Sequence, residues 1–279
     1  MRTEKIIEAK ENERKMINTN MTIFNNKLET ERESFRTSYQ SKKPFKYIVI
    51  DDVIKEKIAH KIHDEYPKVI DGEWDGATYI DQQKKFQKTV FKKNSIIQSV
   101  FDELNSEAFL GWLNYITDME EPLIADPELS GGGLHQSING AFLNIHVDFN
   151  FHPKTKLHRR LNVLIYMNID WKDEYEGHLE FWEIDDGNKK LLEIISPKFN
   201  RLVLFETNEI SFHGHPKPLK IPADVSRKSL ATYYYTKKRP ASENADEHNT
   251  IYVNTEGVKG SIRRFTSGVK ATLERINKR

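Results

Sequence analysis

The chain contains no cysteine, which excludes disulfide bonds, thiolate metal ligands and a cysteine nucleophile. It has no apolar run long enough to span a bilayer, and its first residues, MRTEKIIEAKENERKM, are too polar for a secretory signal. Neither sign of charge dominates, since there are 43 basic and 42 acidic residues, so no global field attracts nucleic acid or an anionic membrane. We therefore expect a cytoplasmic protein with neither a membrane nor nucleic acid as a partner.

The composition that is present fits one folded domain with extensions. Hydrophobic residues make up 37% and aromatic residues 11% of the 279 positions, enough for a large core. The patterns predict a loosely attached, charged helical extension over 1–45, a domain over 46–240 and a C-terminal extension over 241–279 with a basic helix. Within the domain, helices over 46–125 are expected to support a β core over 126–240. The apolar stripe of the basic helix consists of Val269, Leu273 and Ile276.

Helical periodicity is clearest between residues 46 and 120. The segment FKYIVIDDVIKEKIAHKIHDEYP predicts a short strand followed by a helix capped by Asp51 or Asp52. Isoleucine recurs at every fourth position of this helix, the pattern of a face packed on a core, at Ile54, Ile58 and Ile62. A second helix is predicted over SIIQSVFDELNSEAFLGWLNYITDM.

After DPELSGGGLHQS the periodicity becomes strand-like, with short apolar segments separated by turn residues. Because no long helical pattern lies between them, they favour an antiparallel sandwich or jelly roll over a parallel sheet. The expected fold class is therefore α+β with a mainly β core. The segments are AFLNIHVDF, LNVLIYMNI, HLEFWEI, LLEIIS, RLVLFE and SLATYYYT.

One of these strands carries an imidazole and a carboxylate on the same face. In FLNIHVDFN, residues 142–150, the polar side chains Asn144, His146, Asp148 and Asn150 share one parity and point to one side of the sheet. A strand with one face in water gives the same alternation. The pattern alone therefore leaves two interpretations, a solvated face or a ligand site.

A second histidine motif favours a metal site. The segment NEISFHGHPKPL offers His213 and His215 as further imidazoles. Two imidazoles and one carboxylate form the facial triad that suits non-haem Fe(II) and leaves three coordination positions open. By spacing alone, a purely structural role for these side chains stays open as well.

A nearby arginine points to an anionic ligand. Arg227 begins the strand SRKSLATYYYT, and an arginine inside a barrel needs an anionic partner because an unpaired buried charge is very costly. Its planar fork matches a carboxylate, which indicates a dicarboxylate bound to the metal at one end and to Arg227 at the other. Tyr166, in LIYMN, could donate a phenolic hydrogen bond to the same carboxylate or be a core tyrosine.

Residues 130–240 resemble the 2-oxoglutarate- and Fe(II)-dependent oxygenases of the prolyl 4-hydroxylase-like superfamily. The matching segments, in chain order, are GGGLHQS, HVD, RRLNVLIYMNIDW, EGHLEFW, SPKFNRLVLFE, SFHGHPKPL and SRKSLATYYY. The resemblance implies a double-stranded β-helix, a cupin-like jelly roll supported by N-terminal helices. His178 in EGHL is a departure, since the family usually repeats glycine there, and we expect it to alter only the beginning of a strand.

The resemblance also implies a role for each site residue. The implied iron ligands are His146, Asp148 and His213. The implied ligands of the distal carboxylate of 2-oxoglutarate are Arg227 and Tyr166, with Ser229 as a further candidate. Arg159 falls where the family often has a basic residue facing the substrate.

The remaining histidines are expected outside this set. The family pattern, in which the ligand histidine is followed by Gly and a little later by Pro, favours His213 over His215. In addition, His215 directly precedes Pro216 and is pushed toward extended geometry. We therefore expect His215 behind the ligands or exposed. Surface or substrate-cleft positions are predicted for His135, His152 and His158.

The implied reaction is hydroxylation of an aliphatic C–H with release of succinate and carbon dioxide. It would use Fe(II), 2-oxoglutarate and dioxygen, with ascorbate as a candidate further cofactor, on an amino acid or a peptidyl, prolyl-type residue. Asp148 argues against halogenation, which in this superfamily goes with a small residue at that position. The alternatives are a hydroxylase of a small metabolite or sugar, a non-catalytic jelly-roll binding module, and a nucleic-acid demethylase, which the near-neutral charge disfavours.

Overall fold

The computed structural model of the chain describes residues 21–68, 74–79 and 82–255. The predicted basic C-terminal helix lies outside these residues. The helices are α1 (Lys27–Thr30), α2 (Arg32–Ser41), α3 (Glu56–Asp64), α4 (Ile96–Leu104) and α5 (Glu107–Thr117). The strands are β1 (Tyr47–Ile50), β2 (Asp75–Tyr79), β3 (Gln82–Lys88), β4 (Ile124–Ala125), β5 (Gly133–Val147), β6 (His158–Tyr166), β7 (Leu179–Asp185), β8 (Asn188–Ile195), β9 (Arg201–Glu206), β10 (Phe212–His215), β11 (Arg227–Thr236) and β12 (Ile251–Val253).

The strands form one curled antiparallel sheet whose main path runs β1-β9-β6-β11-β5-β10-β7-β8. The longest strand, β5, changes partners along its length: its first half pairs with β11, its second half pairs with β10 and β12, and β3 pairs with it over 134–143. Gly140, near the change, has a φ of +79°, a conformation that glycine adopts without a Cβ penalty. One strand therefore contributes to both parts of the curl. The predicted class, a mainly β core with supporting helices, is confirmed.

The two central strands β6 and β11 are buried on both faces, as β6 illustrates. On β6, Val163 and Ile165 pack into the main core together with the helices. Tyr166, of opposite parity, points into the curl and packs in a second cluster with Phe181 and Phe205. The helices thus cover the outer face, and the inner face is left to line a site.

The N-terminal helices are anchored to this core. Leu28 and Tyr39 are both 0% exposed, and the indole Nε1 of Trp112 donates to the carbonyl of Leu28 at 2.7 Å. Full burial of an apolar side chain contributes about 1.5–3 kcal/mol. The expectation of loose attachment is therefore wrong for residues 21–45, most of whose apolar side chains pack in the main core.

Two local predictions differ from the structure. Helix α3 begins at Glu56, beyond Asp51 and Asp52, and its N-cap residue makes no side-chain cap; Asp51 instead pairs with Arg201 at 2.5 Å. The long second helix is two helices, because the Ser106 hydroxyl accepts from Phe109 N at 3.3 Å and starts α5 anew.

The hairpin of β2 and β3 was not predicted. Its second strand, QQKKFQK, lacks the apolar alternation by which strands are found in sequence, because only one of its seven residues is a large hydrophobe. Strand β3 pairs with β5 between Leu134 and Leu143. No helix in the part of the chain that the structure describes is long and apolar enough to cross a membrane.

Candidate metal centre and cosubstrate pocket

Three ligand-type side chains meet inside the curled sheet. His146 on β5 and His213 on β10 lie directly opposite each other in the β5–β10 ladder, and Asp148 follows the end of β5. Asp148 Oδ1 lies 3.6 Å from His146 Nε2, and its Oδ2 lies 3.5 Å from His213 Nε2. The three ligand atoms are all within 4.8 Å of one another, and no other such group of three occurs among the described residues. The structure thus brings the predicted triad together.

Hydrogen bonds to the backbone orient both imidazoles. Nδ1 of His146 bonds the carbonyl of Asn144 at 2.8 Å, and Nδ1 of His213 bonds the carbonyl of Ser211 at 2.9 Å. Because a carbonyl oxygen can only accept, each Nδ1 carries the hydrogen and each Nε2 keeps a free lone pair. Both lone pairs are therefore available to a metal ion between the rings.

The Asp148 carboxylate is held by two donors from β6. Its Oδ2 accepts from Asn162 Nδ2 at 2.7 Å and lies 3.0 Å from the Nη2 of Arg159. Asn162 in turn accepts from Arg159, so one network fixes the carboxylate. Asn162 was missed in the sequence, although it shares the parity of Tyr166 on β6 and so faces the site.

Arg159 is a buried, stacked cation. Its side chain is 1% exposed, and its guanidinium lies 3.5 Å from the ring centroid of Tyr233 and 4.3 Å from that of Phe149. It lines both cavities of the site, and its charge is directed at Asp148. Arg159 therefore holds the Asp148 carboxylate as well as shaping the cavity.

The surroundings set the ionisation of the triad. Burial, followed by the neighbouring His146, lowers the pKa of His213 to about 3, so this imidazole is neutral, the form that binds metal. Burial alone would raise the pKa of Asp148, but the neighbouring Arg159 guanidinium, the largest opposing cause, holds this pKa well below its ordinary value. Two imidazoles and one carboxylate thus fit a divalent cation of the Fe(II) type.

A buried arginine lies beyond the triad. Arg227 Nε donates to the carbonyl of Gly177 at 2.7 Å, and its Nη2 donates to the Tyr166 hydroxyl at 3.1 Å. No carboxylate among the described residues forms an ion pair with it. Burial raises the pKa of Tyr166, so its phenol keeps a proton to donate. An arginine buried without an acidic partner fits a bound carboxylate such as the distal one of 2-oxoglutarate.

Ser229 and the other histidines can now be placed. Ser229, His135 and His215 line the same inner cavity as Arg227. His215 is 4% exposed, so of the two predicted positions, behind the ligands or exposed, the second is excluded, and its buried Nδ1 has no partner among the described residues. His152 is also 4% exposed and lines neither cavity. Its Nδ1 accepts hydrogen bonds from two backbone amides. It is neither a surface nor a cleft histidine.

Two cavities that share several lining residues surround the triad. The inner one contains Arg227 and Tyr166, and the outer one, about 260 Å³, is bordered by His146, Asp148 and Arg159. A larger cavity, about 870 Å³, lies elsewhere beside α4 and contains none of these groups. The chemistry therefore belongs to the two smaller cavities.

Comparisons with known proteins agree with this geometry. Residues 132–235 match the family model described as the 2OG-Fe(II) oxygenase superfamily. Prolyl 3-hydroxylase OGFOD1 of Mus musculus is 28% identical over 79 residues, which are 28% of this chain and only 14% of the mouse protein.

Two solved structures show the same fold. A prolyl-4-hydroxylase from Pseudomonas putida is 15% identical with a TM-score of 0.52, and the alignment covers 72% of this chain and 98% of that one. A Trichoplax adhaerens prolyl hydroxylase, in complex with a hypoxia inducible factor peptide fragment, is 14% identical with a TM-score of 0.50, covering 77% and 95%.

These findings confirm the jelly-roll fold and the resemblance to 2-oxoglutarate- and Fe(II)-dependent dioxygenases. The family implies Fe(II) and 2-oxoglutarate, and the triad and the buried Arg227 fit that pair.

Proposed function

Because residues 132–235 match the 2OG-Fe(II) oxygenase superfamily, we propose that this protein hydroxylates an aliphatic C–H in a reaction dependent on Fe(II) and 2-oxoglutarate. The observation that carries the proposal is the His146, Asp148 and His213 triad beside a buried Arg227 that has no acidic partner among the described residues. When bound, Fe(II) and 2-oxoglutarate supply the oxidising chemistry, in which decarboxylation to succinate is coupled to hydroxylation.

The residues of the chain bind and orient in this proposal. His146, Asp148 and His213 would hold the iron, and a ligand set of this type leaves coordination positions for cosubstrate and dioxygen. Arg227 and Tyr166 receive the distal carboxylate of 2-oxoglutarate, and Ser229 contributes to the same cavity. Because Asp148 would occupy a coordination position of the metal, that position would not be open to a halide. This favours hydroxylation over halogenation.

The primary substrate is proposed to be an amino acid or a peptidyl, prolyl-type residue. In support, the mouse relative is named a prolyl 3-hydroxylase and the Pseudomonas putida structure a prolyl-4-hydroxylase. The outer cavity, which opens beside the triad, is where such a substrate would lie. Small molecules or peptides, and not nucleic acid, are the partners that this proposal requires.

The test is to incubate the protein with Fe(II), 2-oxoglutarate, labelled dioxygen and cell extract, and to search by mass spectrometry for products that gain one labelled oxygen. Asp148→Ala, which removes the carboxylate ligand, is the inactive control. We expect a hydroxylated amino acid or peptide and stoichiometric succinate. Chlorinated products in added chloride, demethylated nucleobases, or 2-oxoglutarate binding without any turnover would each contradict the proposal.

A further inference from the structure

Lys85 on β3 presents a positive charge to the site from the hairpin that the sequence did not predict. Its side chain lines both the inner cavity with Arg227 and the outer cavity with His146 and Asp148. No hydrogen bond or ion pair joins its ammonium to any described residue. Lys85 is therefore an unpaired cation at the junction of the two cavities.

The sheet register explains why Lys85 reaches the site. Ser137 on β5 lies opposite Lys85 on one side and opposite Arg227 on the other. Residues directly opposite one another in antiparallel ladders have side chains on the same face. The three residues thus form one row across the sheet, with the backbones of Lys85 and Arg227 roughly 10 Å apart, two strand spacings.

The net charge of the site indicates which kind of ligand this row of residues favours. Arg159 and Asp148 compensate each other at 3.0 Å, and Fe(II) with dianionic 2-oxoglutarate adds no net charge. Among the described lining residues two cations remain, Arg227 and Lys85, against one further carboxylate, that of the exposed Asp75. Even with iron and cosubstrate bound, the site is therefore net positive and favours an anion.

The environment of the Lys85 ammonium also favours an anionic partner. Burial, opposed by Asp148 and aided by the positive charges of Arg227 and Arg159, lowers the pKa of Lys85 to about 8. An ammonium in such a place is stabilised by an additional negative group within a few ångströms. The distal carboxylate of 2-oxoglutarate already has Arg227 and Tyr166 as partners, which leaves Lys85 for a different molecule.

We propose that Lys85 binds a carboxylate of the primary substrate. The substrate is then a carboxylic acid whose anion lies close to the oxidised carbon, as in a free amino acid, and not a residue within a neutral stretch of polypeptide. This inference rests on the proposed function and narrows its substrate class.

The experiment begins with the substrate found by the labelled-oxygen search and compares three lysine variants. In Lys85→Gln, we expect the Michaelis constant for that substrate to rise about 30-fold or more, the effect of removing one partner of a buried charge pair. The constant for 2-oxoglutarate, measured from succinate formed without substrate, is expected to stay within about threefold. Lys85→Arg, which keeps the charge, should restore most of the affinity.

The matched control is Lys84→Gln, since Lys84 is the adjacent lysine of β3 and bonds the carbonyl of Asn139 at the exposed side of the sheet. Calorimetric binding of the substrate to the Mn(II) and 2-oxoglutarate form gives the same comparison without turnover. A labelled product that has no anionic group would overturn the inference, as would an unchanged constant in Lys85→Gln. An effect on 2-oxoglutarate alone would assign Lys85 to the cosubstrate. Absence of any labelled product would instead reject the proposed function itself.

Discussion

Arg227→Gln tests the cosubstrate pocket most directly. The guanidinium donates from Nε to the Gly177 carbonyl at 2.7 Å and from Nη2 to the Tyr166 hydroxyl at 3.1 Å. Its remaining N–H groups are left to bind a carboxylate. Truncating one partner of a buried charge pair costs about 2–5 kcal/mol. At 1.4 kcal/mol for each factor of ten, the Michaelis constant for 2-oxoglutarate should rise about 30- to 4,000-fold. Arg227→Lys keeps the charge but loses the fork, so an intermediate rise is expected.

The assay is succinate formation as a function of 2-oxoglutarate concentration, with iron binding and thermal stability measured in parallel. Arg201→Gln is the matched control, because Arg201 bonds Asp51 across the outer edge of the sheet and lines neither cavity of the site. Loss of the Gly177 contact leaves a buried carbonyl unpaired, which should lower the free energy of unfolding by about 1–3 kcal/mol. An unchanged Michaelis constant with iron retained would refute the carboxylate role and move that subsite elsewhere.

Three further predictions concern the metal and the fold. Asn162→Ala removes the 2.7 Å bond to Asp148 and should weaken iron binding about 10- to 100-fold, as measured by metal titration, while Asp148→Ala should abolish it. His213→Ala should lose iron and His215→Ala should retain it; the opposite pattern would show that the wrong histidine was chosen. Leu28→Ala should lower the free energy of unfolding by about 2–5 kcal/mol in urea denaturation, and a change below 0.5 kcal/mol would contradict the anchoring of the N-terminal helices.

The triad could be predicted because its signals are local. His146 and Asp148 are two residues apart at the end of one strand, so the period of the strand itself places them on one face. The order of motifs over residues 130–240 then identified His213 and Arg227. Strand segments with strong apolar alternation, such as LNVLIYMNI around β6, were found for the same reason.

The helical boundaries were less predictable. The Asn105–Ser106 pair that separates α4 from α5 is a recognisable helix-cap signal, yet the apolar periodicity on both sides concealed it. Asp51 was a reasonable cap by residue type, but its carboxylate is taken by Arg201, 150 residues away in sequence. Long-range pairing thus overrode a local preference.

The sequence by itself determined which side chains could bind iron and a dicarboxylate, because residue type and short spacing along the chain identify those candidates. Only the tertiary structure decided which other groups reach them. Lys85 lies in a polar strand without a pattern, and it enters the site because β3 pairs with β5 in a register that places it opposite Ser137. The physical reason is that register between distant strands depends on the whole curled sheet, and a side chain's chemistry depends on the neighbours that this register supplies.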